Sequence, residues 1–267
     1  MPNIELPFEH NPIKLDVEHE DLKKCGLYQL LPAEAKKFVE ENRHVLFYLH
    51  MIPLDKCGTP KFYPALSKKL RNLKHPNLIY PVNSDIAIHI CPDKEDARNF
   101  YIPIEPAVFT NLDRLMEEVE RRIAWLVDKY EEPKTLEERR YILEKCIDEV
   151  CEVKPNYDGN GFDAGNGGGI GNGNNNGNGN GSSKLLMKFL PRIWKGNGHT
   201  KKVVVTPLEL KAIKYLMVRD KVGLGVLEPF IRDPNIEDIS CSGLGYIFVE
   251  HKIFESLKAP VKFESKK

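Results

Sequence analysis

The sequence contains no Cys-x-x-Cys pair, no run approaching the ~18 uninterrupted apolar residues of a membrane span, and no Gly-x-x-x-x-Gly-Lys-Ser/Thr phosphate-binding loop. Each absence excludes a class of protein. Without close pairs, the six cysteines at 25, 57, 91, 146, 151 and 241 read as free, mostly buried thiols rather than metal ligands or a disulfide framework. The eight histidines form no tight pair on one helix face, so no metal is expected. With neither a long apolar run nor a basic segment leading into one at residues 1–10, the chain is expected to be cytoplasmic. An excess of one charge is missing too: 39 basic residues balance 39 acidic ones, so no global field selects nucleic acid, and none is expected as a partner. Without a phosphate loop, or an apolar strand ending in an acidic pair, the chain alone is expected to have no catalytic residue, no cofactor and no ATPase activity.

What is present is an ordinary charged and apolar balance with one compositional break. Of the 23 residues from 159 to 181, 11 are Gly and 8 are Asn. Such a tract has few side chains to bury and much entropy to lose, which predicts a flexible linker over 156–183. It divides the chain into an α+β region at 1–155 and a second region at 184–267.

In the first region, Ile86-Ala-Ile-His-Ile90 reads as a strand, and Phe100-Tyr-Ile-Pro-Ile-Glu105 as a second whose Pro103 suits a sheet edge. A helix follows. Thr110 and Asp113 resemble a capping box, and Leu112, Leu115, Met116, Val119, Ile123, Leu126 and Val127 recur at helical spacing. A second helix starts at Thr135, with Glu138 three residues on, and Pro133 separates the two as an antiparallel pair. In the second region, Thr206-Pro-Leu-Glu209 marks a strong helix start. Two short strands, Ile236-Glu-Asp-Ile-Ser240 and Tyr246-Ile-Phe-Val-Glu250, then form a hairpin joined through Gly243 and Gly245, the first with imperfect alternation.

The segment from Arg219 to Ile239 resembles the amino-terminal domain of type II and type IV secretion ATPases, above all the archaeal branch of pilus and archaellum motors. The residues carrying the likeness are Gly223, Gly225, Leu227, Pro229, Asp233, Pro234, Ile236, Glu237, Asp238, Ile239, Gly243 and His251. Upstream, Asn77-Leu-Ile-Tyr-Pro-Val82, His89-Ile-Cys-Pro-Asp93 and Tyr101-Ile-Pro-Ile-Glu-Pro106 are similar to the preceding domain of the same proteins. The resemblance touches both sides of the tract and implies an incomplete amino-terminal domain that precedes a motor core. It implies a homohexamer, docking on a polytopic inner-membrane platform protein, with ATP and Mg bound by the full-length family. Arg219 and Arg232, flanking the motif, are candidates for a contribution in trans to a neighbour's nucleotide site. Glu237 and Asp238, adjacent in a strand, point to opposite faces and make a poor acid/base pair.

A second reading is a stand-alone adaptor at the cytoplasmic membrane face. Between Ser183 and Pro207 there is no acidic residue, while Lys184, Lys188, Arg192 and Lys195 alternate with aliphatics and Trp194, a composition suited to an anionic membrane or platform surface. Pro191 interrupts that segment as a helix.

Overall fold

A computed structural model describes residues 3–9, 22–93, 96–107, 112–154 and 202–264. The fold is α+β and divides into two compact units, residues 1–110 with 223–267, and residues 111–222.

The first unit is built on one mixed sheet. Its strands are β1 (Asn3–Ile4), β2 (Lys61–Phe62), β3 (Leu78–Pro81), β4 (Ala87–Cys91), β5 (Phe100–Ile104), β8 (Ile236–Ser240), β9 (Gly245–His251) and β10 (Glu255–Phe263). In space they run β2, β3, β4, β5, β10, β9, β8, with β1 antiparallel to β10 off this path. β3, β4 and β5 are buried on both faces, which is why their sequences are nearly continuous apolar runs rather than alternating ones. Ile79 pairs with His89 and His89 with Ile102, so these residues share a face. That face packs on Tyr28 of α1 (Gly26–Leu30), Val39 of α2 (Ala33–Glu41) and Val45, Leu46, Tyr48 and Leu49 of α3 (Arg43–Met51). A short α4 (Leu54–Cys57) leads through Gly58, at φ +74°, towards β2.

The sequence places Pro103 at a sheet edge, and the structure corrects this: β5 lies inside the sheet, between β4 and β10. The proline is accommodated because β10 pairs with β5 at Phe100 alone, so the missing N–H lies past the stretch where β10 is bonded to it. β10 itself carries Leu257, Ala259 and Val261 inward at a spacing of two, and its ladder to β9 shifts register between Lys258 and Lys262. The hairpin of β8 and β9 forms as the alternation predicts. Its imperfect register has a cause, a shift between Ile236 and Asp238. Gly243 and Gly245 adopt φ +95° and +126°, as the turn requires.

The second unit holds α5 (Asp113–Leu126), α6 (Leu136–Val150), β6 (Cys151–Val153), β7 (Val203–Val205) and α7 (Pro207–Lys221). Both α6 and α7 begin with complete capping boxes, Thr135 with Glu138 and Thr206 with Glu209. Thr110 lies outside the described residues, so the third proposed box does too. α6 packs on both α5 and α7, burying Val119, Ile123, Cys146, Ile147, Ala212, Ile213 and Met217. β6 and β7 pair in parallel, Cys151 with Val203 and Val153 with Val205. The unit boundaries therefore fall elsewhere than at the Asn/Gly tract: chain on either side of residues 155–201 is hydrogen-bonded into the same unit. That tract and the predicted linker lie outside the described residues.

Candidate functional site

The most polar buried place in the first unit is centred on Asp233, the residue that ends α8 (Glu228–Arg232). An isolated buried carboxylate is costly, and this one is held by four donors. Its Oδ2 accepts from the Tyr80 hydroxyl at 2.5 Å and from the Tyr101 hydroxyl at 2.9 Å. Its Oδ1 accepts from the Asn235 backbone N–H at 2.8 Å and from the Asn235 amide at 2.9 Å, an Asx turn that leads the chain into β8. Tyr80 also lies 3.2 Å from His251 Nε2.

The tautomer follows from the other ring nitrogen. His251 Nδ1 faces the backbone N–H groups of Ile253 and Phe254 at 3.1 and 3.3 Å and must accept, so the proton sits on Nε2 and is donated to the Tyr80 oxygen. Protons therefore point one way, from His251 to Tyr80 to Asp233. Burial lowers the His251 pKa to about 4 against the opposing pull of Asp233, so the imidazole is neutral at pH 7. Burial first, and the Asp233 charge after it, raise the Tyr101 pKa well above its ordinary value, and burial likewise raises that of Tyr80. Phe230 of α8 stacks on Tyr101 with ring centroids 5.4 Å apart. Each polar atom named has a hydrogen-bond partner, so the cluster clasps β3, β5 and the segment before β8 together.

A second buried relay lies on the opposite face of β4. Tyr48 of α3 hydrogen-bonds His89 Nδ1 at 2.8 Å, and His89 Nε2 meets the Asn77 side-chain oxygen at 2.8 Å. The Asn77 amide donates to the Cys57 carbonyl at 2.8 Å. Burial holds the His89 pKa near 3, so this ring too is neutral, accepting from the tyrosine and donating to the asparagine.

The motif residues sort clearly. Asp233 is the hub, Pro229 is buried in α8, and Leu227 closes a 3-10 turn that opens at Gly225, where φ is +61°. Gly223 has no positive φ, and Pro234 is exposed. Ile236 and Ile239 are half-buried in β8, whereas Glu237 and Asp238 are exposed on it. Gly243 makes the hairpin turn. Arg232 pairs with Glu228 at 2.7 Å within α8, and Glu228 also receives the Leu224 N–H at 3.0 Å. Arg219, in the other unit, pairs with Asp220 at 2.7 Å. The structure thus does not gather the two arginines into one cluster in either unit. Lys184, Lys188, Arg192 and Lys195 lie outside the described residues.

In the sequence, Tyr80, Tyr101 and His89 stand inside the resembling segments with no role of their own. The signal was there: tyrosine and histidine amid uninterrupted Ile and Leu must find partners once buried. Four of the cysteines, Cys25, Cys91, Cys146 and Cys151, are buried, Cys57 is half-buried and Cys241 exposed, and all are free thiols. Among the described residues no group of three or more His, Cys, Asp or Glu is placed to hold a metal, and no helix is long and apolar enough to cross a membrane.

No family model matches the chain. It is 38% identical over 52 residues, 19% of its length and 21% of the relative's, to the uncharacterized protein MJ1288 of Methanocaldococcus jannaschii. It is 30% identical over 233 residues to the uncharacterized protein MJ0900 of the same organism, a match that takes in 87% of this chain but spans only 37% of that relative.

Proposed function

We propose that the chain is the non-catalytic, assembly or regulatory part of a hexameric ATPase that powers type II secretion or type IV-like pilus or archaellum assembly. The observation that carries this reading is the convergence at Asp233. The residue belongs to the Asp-Pro motif that carries the resemblance, and its carboxylate is held by Tyr80 and Tyr101, which belong to two of the three upstream segments that share it. Segments that resemble one family at distant points of the sequence are parts of one hydrogen-bonded sheet, as pieces of a single inherited module would be.

In this reading ATP and Mg are bound by a motor region carrying its own phosphate loop, and this chain supplies contacts. Arg219 and Arg232 would leave Asp220 and Glu228 to meet phosphate charge, each exchanging a local ion pair for a phosphate contact. The platform protein is the expected membrane partner, approached from the cytoplasmic face.

The test is magnesium-dependent phosphate release, measured for the highly purified chain alone and after mixing with a motor domain of the resembled family. The expected outcome is no release alone and a changed motor rate in the mixture, reduced again by Arg232→Gln or Arg219→Gln. Release by the chain alone, scaling with its concentration, would overturn the reading, as would a motor rate indifferent to the chain.

A further inference from the structure

The sheet of the first unit ends at β8, which pairs with β9 on one side, and among the described residues no strand lies on its other side. Alternate N–H and C=O groups of an end strand point outward and are free to accept another strand. The opposite end of the sheet, β2, is two residues long and offers far less.

Two features set β8 apart from an ordinary edge. Apolar side chains are exposed in the chain just before and just after it: Ile231 in α8 is 51% exposed and Leu244 in the hairpin turn 67%. Between them the strand reads Ile-Glu-Asp-Ile-Ser, with Ile236 and Ile239 half-buried and both acids in solvent. Glu237 and Asp238 have no ion pair among the described residues, while Glu228 and Asp220 nearby in sequence each hold an arginine.

The charge decides the occupant. Two copies of β8 laid antiparallel would bring Glu237 and Asp238 of one against the same residues of the other, and like charges directly opposite are destabilising. A second copy is therefore repelled. The register shift between Ile236 and Asp238 breaks the strict alternation, placing Ile236 and Ile239 on one face and leaving both acids in solvent. An extended segment with Lys or Arg on the acids' side and aliphatic residues on the other therefore gains both the backbone ladder and the cross-strand pairs.

We propose that the outer edge of β8 is a strand-addition site for a basic, aliphatic segment of a partner protein. Ile231 and Leu244 flank that site as apolar contacts for residues beyond the added strand. The proposal stands apart from the motor-family reading and does not require it.

The experiment titrates the 15N-labelled full chain with a capped heptapeptide of alternating valine and lysine, read by amide chemical shifts and by hydrogen exchange. The expected result is saturable shifts centred on residues 236–240, slower exchange of the outward amides there, and at least tenfold weaker binding of the valine–glutamate peptide. Backbone N-methylation of the valine–lysine peptide should abolish binding to the unaltered chain, a control that needs no variant. Glu237→Lys with Asp238→Lys should reverse the preference and favour the glutamate peptide. Equal binding of both peptides, shifts away from β8, an unchanged preference in the double variant, or concentration-dependent self-pairing of β8 without peptide would each overturn the proposal.

Discussion

The Tyr80 hydroxyl donates a 2.5 Å hydrogen bond to the carboxylate of Asp233, 153 residues further along the chain. One side chain at the end of α8 thereby fixes β3 to the C-terminal hairpin, with Tyr101 and Asn235 completing its coordination. Replacing Asp233 with Ala leaves two buried phenols without their acceptor, and stability should fall by roughly 2–5 kcal/mol, about 1–3 for each unsatisfied hydroxyl. Tyr101→Phe removes one donor and should cost about 1–3 kcal/mol. Urea unfolding followed by exchange of the β3 and β9 amides checks both, and a cost for Asp233→Ala no larger than that of a surface substitution would show that the carboxylate is not the hub.

Acid should loosen the first unit before it protonates ordinary carboxylates. His251 has a folded pKa of about 4 and His89 of about 3, both below the imidazole's ordinary 6.5. The unfolded chain therefore binds more protons than the folded one as pH falls below 6.5, and the sign of the linkage makes stability fall with it. For His251 the loss should reach about 3 kcal/mol by pH 4. Melting temperatures from pH 7 to pH 4 should drop progressively, with no further change above pH 7 from these two groups. His89→Gln, which can still accept from Tyr48 or donate to Asn77, should flatten the slope.

Gly245 sits at φ +126°, where an L side chain is strained, although a Cβ there would meet nothing within 4 Å. Its cost on substitution is purely conformational. Gly245→Ala should destabilise by roughly 1–2 kcal/mol, while Gly26→Ala, at a position of negative φ and also with nothing within 4 Å, should cost nothing measurable. Chemical denaturation of the two variants side by side separates backbone strain from crowding.

The second unit has its own handle. The Thr206 hydroxyl accepts the Glu209 N–H at 3.2 Å and Glu209 returns the bond to the Thr206 N–H at 2.7 Å. Thr206→Ala should cost about 1 kcal/mol. Exchange should quicken in the first turn of α7 and leave β3 to β5 unaffected.

Local structure was legible wherever one short segment contained the whole cause. Thr135 with Glu138, Thr206 with Glu209, and the paired turn glycines each specify an element through neighbours two or three residues away, and all appear as read. What escaped was pairing between distant segments. Pro103 reads as an edge residue because sequence shows its missing donor but not that β10 is in register with that strand only at Phe100. The tract at 159–181 reads as a divider because composition cannot show Cys151 paired with Val203 across it. The candidate site suffered in the same way: Asp233 was visible as a motif residue, but its partners lie 153 and 132 residues away and had no local signature beyond being tyrosines among aliphatics.

The parallel pairing of β6 and β7 also makes the molecule a natural host. Cys151 pairs with Val203 and Val153 with Val205, so the end of β6 and the start of β7 lie at opposite ends of a short ladder, about 10 Å apart along the strands. Anything encoded between those points is tethered at both ends across that short span. For an unstructured insert the closure cost rises by only about 0.6 kcal/mol per doubling of length. A fluorescent protein, an epitope or a whole folded passenger whose own termini lie close together should be carried there with the host's melting behaviour nearly unchanged.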